Sequence, residues 1–196
     1  QLPLFGGGET RAPEEIATDT VTHVVRDEAA LDALVKKLEA AEAIAFDTET
    51  TSTDQMQAKL VGISLAVEPG EGYYIPIRHV FDDQGQLKVE RVIERLRPAM
   101  TDPNIPKIGH NIKYDAIMLK RYGLEVYPLS TDTMVGEWLL HPGSSQGKLG
   151  LKNLAFFRLG VEMTPISSLI GSGRKQLTMD LVSVEEAAPY AAADAD

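Results

Sequence analysis

Asp47 and Glu49 stand two residues apart at the end of the apolar run Ala43–Phe46. On an extended strand their carboxylates point to the same side. Acids at the end of a buried strand are costly unless something positive compensates, and an all-oxygen donor set suits a hard divalent cation. Tyr190 and Asp194 are four residues apart in the last stretch of the chain, so on a helix they share a face one turn apart. There the carboxylate can bind a metal ion while the phenol aims its hydroxyl at a ligand or a water. Asp115 follows Asn111-Ile112-Lys113-Tyr114 at the start of another helix. Each piece alone also has a plain reading. Asp-x-Glu at a strand end is often a turn cap, an acid in a first helical turn is favoured by the helix dipole, and a Tyr/Asp face commonly packs its Tyr and solvates its Asp.

These residues need a scaffold, and the chain spells one out. A short strand at His23–Val25 leads to a helix N-capped by Asp27, with Leu31, Leu34, Val35 and Leu38 on one face. Leu60–Val67 and Tyr73–Ile77 read as strands joined by Glu68-Pro69-Gly70-Glu71-Gly72, hence a hairpin. Val89, Ile93, Leu96 and Met100 mark an amphipathic helix, and Pro106–Gly109 a short strand. A helix over Tyr114–Tyr122 is stopped by Gly123. A strand near Val126–Leu129 precedes a helix capped by Thr131-Asp132 and running through Leu140. Leu151–Leu159 forms a helix closed by Gly160, and residues 161–180 look irregular. The final helix starts near Ser183, which has capping-box spacing to Glu186. Pro189 removes a backbone donor from it, so a kink or a restart is expected there. Trp138, beside Met134 and Leu139, is expected in the core. Hairpin-bearing strands followed by alternating strands and helices imply an α/β protein with a mixed sheet flanked by helices.

The 196 residues suit one domain. Residues 1–22, with Gly6-Gly7-Gly8 and Pro13, read as a linker, which leaves 23–196 as the domain. The chain opens on Gln1 and stops at Asp196 inside a helix, which reads as truncation. No run of 18 apolar residues is present, so no membrane span is expected. The absence of cysteine excludes disulfides and thiolate metal sites and fits a reducing cytoplasm. A net charge of -10 argues against a freestanding nucleic-acid binder, unless some of the acids form a cation site and a partner domain supplies positive charge.

Read in order, Phe46-Asp47-Thr48-Glu49-Thr50, Asn111-Ile112-Lys113-Tyr114-Asp115 and Tyr190-Ala191-Ala192-Ala193-Asp194-Ala195-Asp196 resemble the three motifs of the DEDD exonuclease superfamily. Leu60–Gly70, Asp132-Thr133-Met134 and Gln176-Leu177-Thr178 resemble the proofreading 3′–5′ exonuclease domains of bacterial family A DNA polymerases. The likeness covers roughly residues 23–196. Tyr190, four before Asp194, matches the Tyr branch of the superfamily, since the His branch would place its His at Pro189.

The resemblance implies a ribonuclease H-like, mixed five-stranded sheet. It implies two divalent ions, Mg²⁺ or Mn²⁺. Asp47, Glu49 and Asp194 would hold one; Asp47 and Asp115, the latter through water, would hold the other. Tyr190 with Glu49 would orient the attacking water. Thr48, Thr50, Thr53, His110, Asn111 and Tyr114 lie where the family contacts the terminal nucleotides. Many relatives carry Gln in place of His110 and Leu in place of Thr53, and Thr53 would be the poorer wedge under a terminal base. The implied partners are the 3′ end of single-stranded DNA and a polymerase domain of the same parent chain, with the protein monomeric. A ribonuclease D-like exoribonuclease and an inactive exonuclease-fold module stand as alternatives. Gly171-Ser172-Gly173-Arg174-Lys175 lacks the Gly-Lys-Ser/Thr ending of a P-loop; it reads as a basic loop near DNA or as a solvated loop.

Overall fold

A computed structural model of the chain describes residues 20–82, 84–143 and 148–196. Six strands, β1 (Val21–Val24), β2 (Ile44–Thr50), β3 (Leu60–Ala66), β4 (Glu71–Pro76), β5 (Lys107–Gly109) and β6 (Leu129–Asp132), form one sheet in the order β1-β4-β3-β2-β5-β6. β2, β3 and β4 run antiparallel in sequence, while β1 pairs β4, β5 pairs β2 and β6 pairs β5 in parallel. Seven helices are found among the described residues: α1 (Glu28–Glu39), α2 (Val89–Met100), α3 (Lys113–Arg121), α4 (Thr133–Leu140), α5 (Leu151–Leu154), α6 (Ser167–Ile170) and α7 (Val184–Ala195).

The mixed α/β architecture is as expected, with one strand more than the implied five. β1, the short strand expected at His23–Val25, lies within that sheet and covers the free edge of β4. Its His23 ring stacks on Tyr73 at 4.8 Å. β1 opens at Val21, so Val21 and Thr22 belong to the sheet rather than to the expected linker; residues 1–19 of that linker lie outside the described residues. β6 falls three residues later than expected, because Val126 is buried in the core while Leu129 pairs with Lys107.

Alternation along the strands sorts side chains between two layers. Ile44 and Phe46 of β2, Ile63 and Leu65 of β3, and Tyr73 and Ile75 of β4 pack with Leu31, Leu34, Leu38, Val92, Ile93 and Leu96 of α1 and α2. Val61 and Tyr74 face the other way and pack with Ala187, Ala188, Tyr190 and Ala191 of α7. The capping signals hold: the Asp27 side chain accepts from Ala30 N, and that of Ser183 from Glu186 N. Gly123 and Gly160 end their segments at φ 86° and 73°.

Three local expectations fail. The segment Leu151–Leu159 is α-helical only to Leu154 and continues as a π-turn over Ala155–Leu159. α7 runs unbroken through Pro189. Pro189 and Glu185, whose carbonyl loses its partner, both lie on the exposed side of the helix, where a freed carbonyl costs least. The alanine face packed on the sheet holds the helix together. Trp138 is 52% exposed and α4 has no buried residue at all. Its apolar periodicity marks a face without saying what covers it. The Gly171–Lys175 segment is exposed and holds a short 3₁₀ turn at Gly173–Lys175.

The approach of α7 to the sheet depends on small residues. A Cβ added to Gly72 of β4 would lie 2.5 Å from the carbonyl oxygen of Ala192 and 2.7 Å from its Cβ. Gly72→Ala is therefore expected to push the C-terminal half of α7 away from β4 and to destabilise the fold by about 1–3 kcal/mol. Urea denaturation measures this; an unchanged midpoint would show that the helix does not rest on this contact.

Candidate active site

The two-residue period of β2 that sends Ile44 and Phe46 to the α1–α2 layer sends Asp47 and Glu49 to the α7 side. α7 lies across β1, β2, β3 and β4 there, and its period brings Tyr190 and Asp194 onto one face. One oxygen from each of Asp47, Glu49 and Asp194 lies within 4.8 Å of the others. Oxygens so spaced can share one cation through bonds of ~2.0–2.6 Å. The donor set is hard oxygen throughout, with no histidine or cysteine, which fits Mg²⁺ or Mn²⁺. The β2–β3 register shifts between Glu49 and Thr50, an irregularity that ends regular pairing at the acidic end of the strand.

Asp115 does not join that group of three; it sits at the neighbouring position along β2. From the first turn of α3 its Oδ1 accepts from the Thr48 backbone N–H at 3.0 Å and from the Thr48 hydroxyl at 2.5 Å. The β2–β5 ladder closes after Ile44 and Ala45, so the Thr48 N–H lies beyond it and the carboxylate takes its place as acceptor. Asp115 is still close enough to Asp47 to be the largest charge acting on it.

Burial and mutual repulsion govern the electrostatics. Glu49 and Asp115 are buried; Asp47 and Asp194 are partly so. Burial, then the charges of Asp115, Glu49 and Asp194, push the Asp47 carboxyl well above the usual range. Burial and Asp194 push Glu49 up to about 8, against the opposing pull of Lys152. Burial pushes Asp115 up to about 7, opposed by its hydrogen bonds from Thr48. Burial also raises Asp194, with the Lys152 ammonium and the Tyr190 hydroxyl acting against it. Burial, followed by the charges of Asp194 and Glu49, pushes the Tyr190 phenol far up, so it stays a neutral hydrogen-bonding group. A cluster that resists ionising this strongly gains most from a divalent cation.

Of the residues expected to meet a nucleic-acid strand, Thr48 and Thr50 alternate with Asp47 and Glu49 on β2, and Tyr114 precedes Asp115 on α3. Thr48 is 6% exposed, and its hydroxyl is committed to Asp115. The Thr50 hydroxyl and the Tyr114 phenol lie 2.6 Å apart, and both donate to the Ser52 carbonyl, which ropes the end of β2 to α3. Thr53 and Asn111 are exposed, and Asn111 adopts the left-handed conformation at φ 53°. His110 Nδ1 meets the Thr133 hydroxyl at 2.9 Å, while its Nε2 is enclosed without a partner. Burial lowers its pKa.

Two side chains of the site escaped sequence reasoning. Asp132 reads as a helix cap, and it does accept from Met134 N and Val135 N. It also accepts from Asn111 N and Ile112 N, each at 3.0 Å, and so pins the 110–112 turn. Nothing in its local sequence signals the second pair. Lys152 of α5 reaches Asp194 Oδ1 at 2.8 Å and lies 4.1 Å from the centroid of the Tyr190 ring. A lone lysine in Leu-Lys-Asn carries no mark of such contacts. Lys152, Met163 and Thr164 border a cavity of about 30 Å³ against Pro189, Tyr190, Ala193 and Asp194, enough for one water.

Known proteins resemble this chain in sequence and in fold. Residues 22–196 match the model of a family described as 3′–5′ exonuclease. The chain is 42% identical to the DNA polymerase I of Chloroflexus aurantiacus over 197 residues, covering all of this chain and 20% of that one. It is 40% identical to the DNA polymerase I of Pseudomonas aeruginosa, over 96% of this chain and 21% of that one. It thus spans about a fifth of the length of these relatives. Among solved structures, Escherichia coli RNase D aligns at TM-score 0.61 and 23% identity over 90% of this chain and 42% of that chain. Brucella melitensis NrnC aligns at TM-score 0.62 and 18% identity, over 91% and 76%. At those identities the two structures speak for the fold alone. The family match extends from β1 through the end of α7 and includes every acid of the cluster, and on that ground the chain belongs to the 3′–5′ exonuclease family represented in DNA polymerase I.

Proposed function

We propose that this exonuclease is a proofreading domain that removes nucleotides from the 3′ end of single-stranded or frayed DNA with two divalent ions, Mg²⁺ or Mn²⁺. The observation that carries the reading is the meeting of Asp47, Glu49 and Asp194 from β2 and α7 within ligand span of one another. Asp47, Glu49 and Asp194 would hold one ion; Asp47 and Asp115 would hold the other. When bound, such a pair supplies charge stabilisation to an in-line displacement at phosphorus.

The protein's own part is to arrange what surrounds that reaction. Glu49 and the neutral Tyr190 hydroxyl orient the attacking water. Thr48 holds Asp115 toward the cluster through two hydrogen bonds. Thr50, Thr53, His110, Asn111 and Tyr114 guide the strand; a duplex end has to separate before it can enter between them, which favours mismatched termini. Phosphate affinity is expected to come from the ions and from a partner domain, since this chain carries a net charge of -10. We propose as that partner the polymerase domain of a longer parent chain, working in the cytoplasm.

The direct test follows the release of label from 3′-labelled single-stranded DNA and RNA with Mn²⁺ and with chelator. DNA cleavage that needs the metal is expected, and preference for RNA would turn the assignment to an exoribonuclease. Asp47→Ala should reduce cleavage to background with its thermal midpoint retained, whereas Tyr190→Phe should slow it by roughly 10²-fold, the scale of a group that positions water or a proton. Residual activity near wild type in Asp47→Ala would refute its role.

The raised carboxylates make a second prediction about the metal-free protein. A folded-state pKa above the unfolded value means that the native state holds extra protons. That stability is fully present below the ordinary range near 4 and is lost as pH rises through about 7 for Asp115 and about 8 for Glu49. With chelator, the melting midpoint should therefore fall by several degrees between pH 5 and 9, given ~2–4 °C per kcal/mol in a domain of this size. Mn²⁺ should raise the midpoint at the alkaline end and flatten the slope. A flat profile in chelator would contradict the crowding of acids described above.

A further inference from the structure

We propose that Lys152 is a positioning residue for hydrolysis, bridging the Asp194 carboxylate and the Tyr190 ring so that the phenol hydroxyl is fixed relative to the oxygens of Asp47, Glu49 and Asp194. The inference rests on the metal-dependent reading of the site. α7 carries Tyr190 and Asp194 together with Glu185 and Glu186 and has no basic residue of its own. A countercharge for its acidic face has to come from another element. Lys152 supplies it from α5, with its ammonium 2.8 Å from Asp194 Oδ1. That contact holds one oxygen of Asp194 and leaves the carboxylate's orientation set. The same ammonium lies 4.1 Å from the centroid of the Tyr190 ring, within the range of a cation–π contact. Tyr190 and Asp194 sit one turn apart on the same face of α7. Lys152 thus touches both groups, so neither the ring nor the carboxylate can turn away without breaking its contact to the lysine.

An exposed lysine–carboxylate pair would contribute almost nothing. Here the side chains of Lys152 and Asp194 are 28% and 12% exposed, so the contact is partly withdrawn from water. Within the site it is the ion pair that joins α5 to α7, tying the segment that follows α4 to the acidic cluster.

The test compares wild type with Lys152→Met, which keeps length without charge, and Lys152→Arg, which keeps a cation able to lie on a ring and bind a carboxylate. Lys152→Gln runs in parallel, and thermal melting establishes that each variant folds. On 3′-labelled single-stranded DNA with saturating Mn²⁺, Lys152→Met and Lys152→Gln should lower kcat roughly ten- to a hundredfold, as misplacement of a reacting group does, with KM within about twofold of wild type. Lys152→Arg should recover most of the rate. Without metal or DNA, the ¹³Cζ resonance of Tyr190, assigned with Tyr190→Phe, should move in Lys152→Met and return toward wild type in Lys152→Arg. Unchanged kcat and resonance in the neutral variants would overturn the role. A rise in KM at constant kcat would also overturn it, by making Lys152 a strand contact. A wild-type protein that neither binds Mn²⁺ in a calorimetric titration nor cleaves DNA would instead sink the reading of the site beneath it.

Discussion

Four carboxylates forced together in partial burial dominate this molecule. Each loses hydration, and the neighbouring acids raise the cost of ionising Asp47 and Glu49 further, so the cluster is unfavourable by itself. The rest of the fold supplies the rigidity that keeps it assembled. β3 is buried along its whole length, and it fixes β2 from one side. The α1–α2 layer grips Ile44 and Phe46 of β2 and leaves Asp47 and Glu49 no alternative face. α7 then brings its own acid in over an alanine surface that can come close because Gly72 has no side chain. The protein thus resolves a local conflict with non-local packing, and the conflict is what makes the place receptive to a hard cation.

Hydrogen bonds around the cluster act mainly as fixtures. Asp115 is held by both polar groups of Thr48, and Tyr114 and Thr50 converge on Ser52. Asp132 accepts from four backbone N–H groups in two separate turns. Each joins segments far apart in the chain, so the strand end, the α3 entrance and the α4 entrance share a common frame. Polar groups satisfied in this way specify one arrangement rather than adding much net stability.

How much of this could be read from the residues alone depended on the range of the pattern. The common side of Asp47 and Glu49 and the common face of Tyr190 and Asp194 follow from strand and helix periods. That these two pairs meet does not, and only the ordered likeness to a known motif set joined them with Asp115. The hairpin and the Asp27, Asp132 and Ser183 caps were legible because they depend on a few adjacent residues. Trp138 was not, since apolar spacing identifies a face and not its neighbour. Pro189 misled because propensity weighs one lost hydrogen bond and cannot see the alanine face packed beneath it. Lys152 and the second role of Asp132 arise from contacts 42 and about 20 residues away in sequence, where no local signal exists.

The short pairing of β2 with β5 carries a consequence of its own. Two parallel strands that could have zipped further part after Ala45 and Ile108, at the point where the chain order across the sheet changes direction. The region beyond the carboxyl ends of strands at such a reversal is where open α/β sheets receive ligands. Backbone groups that a longer ladder would have consumed are left for Asp115 and for whatever enters. Any change that lengthened the pairing would strengthen the sheet and shut the door to the acids, so here sturdiness and access draw on the same few peptide units.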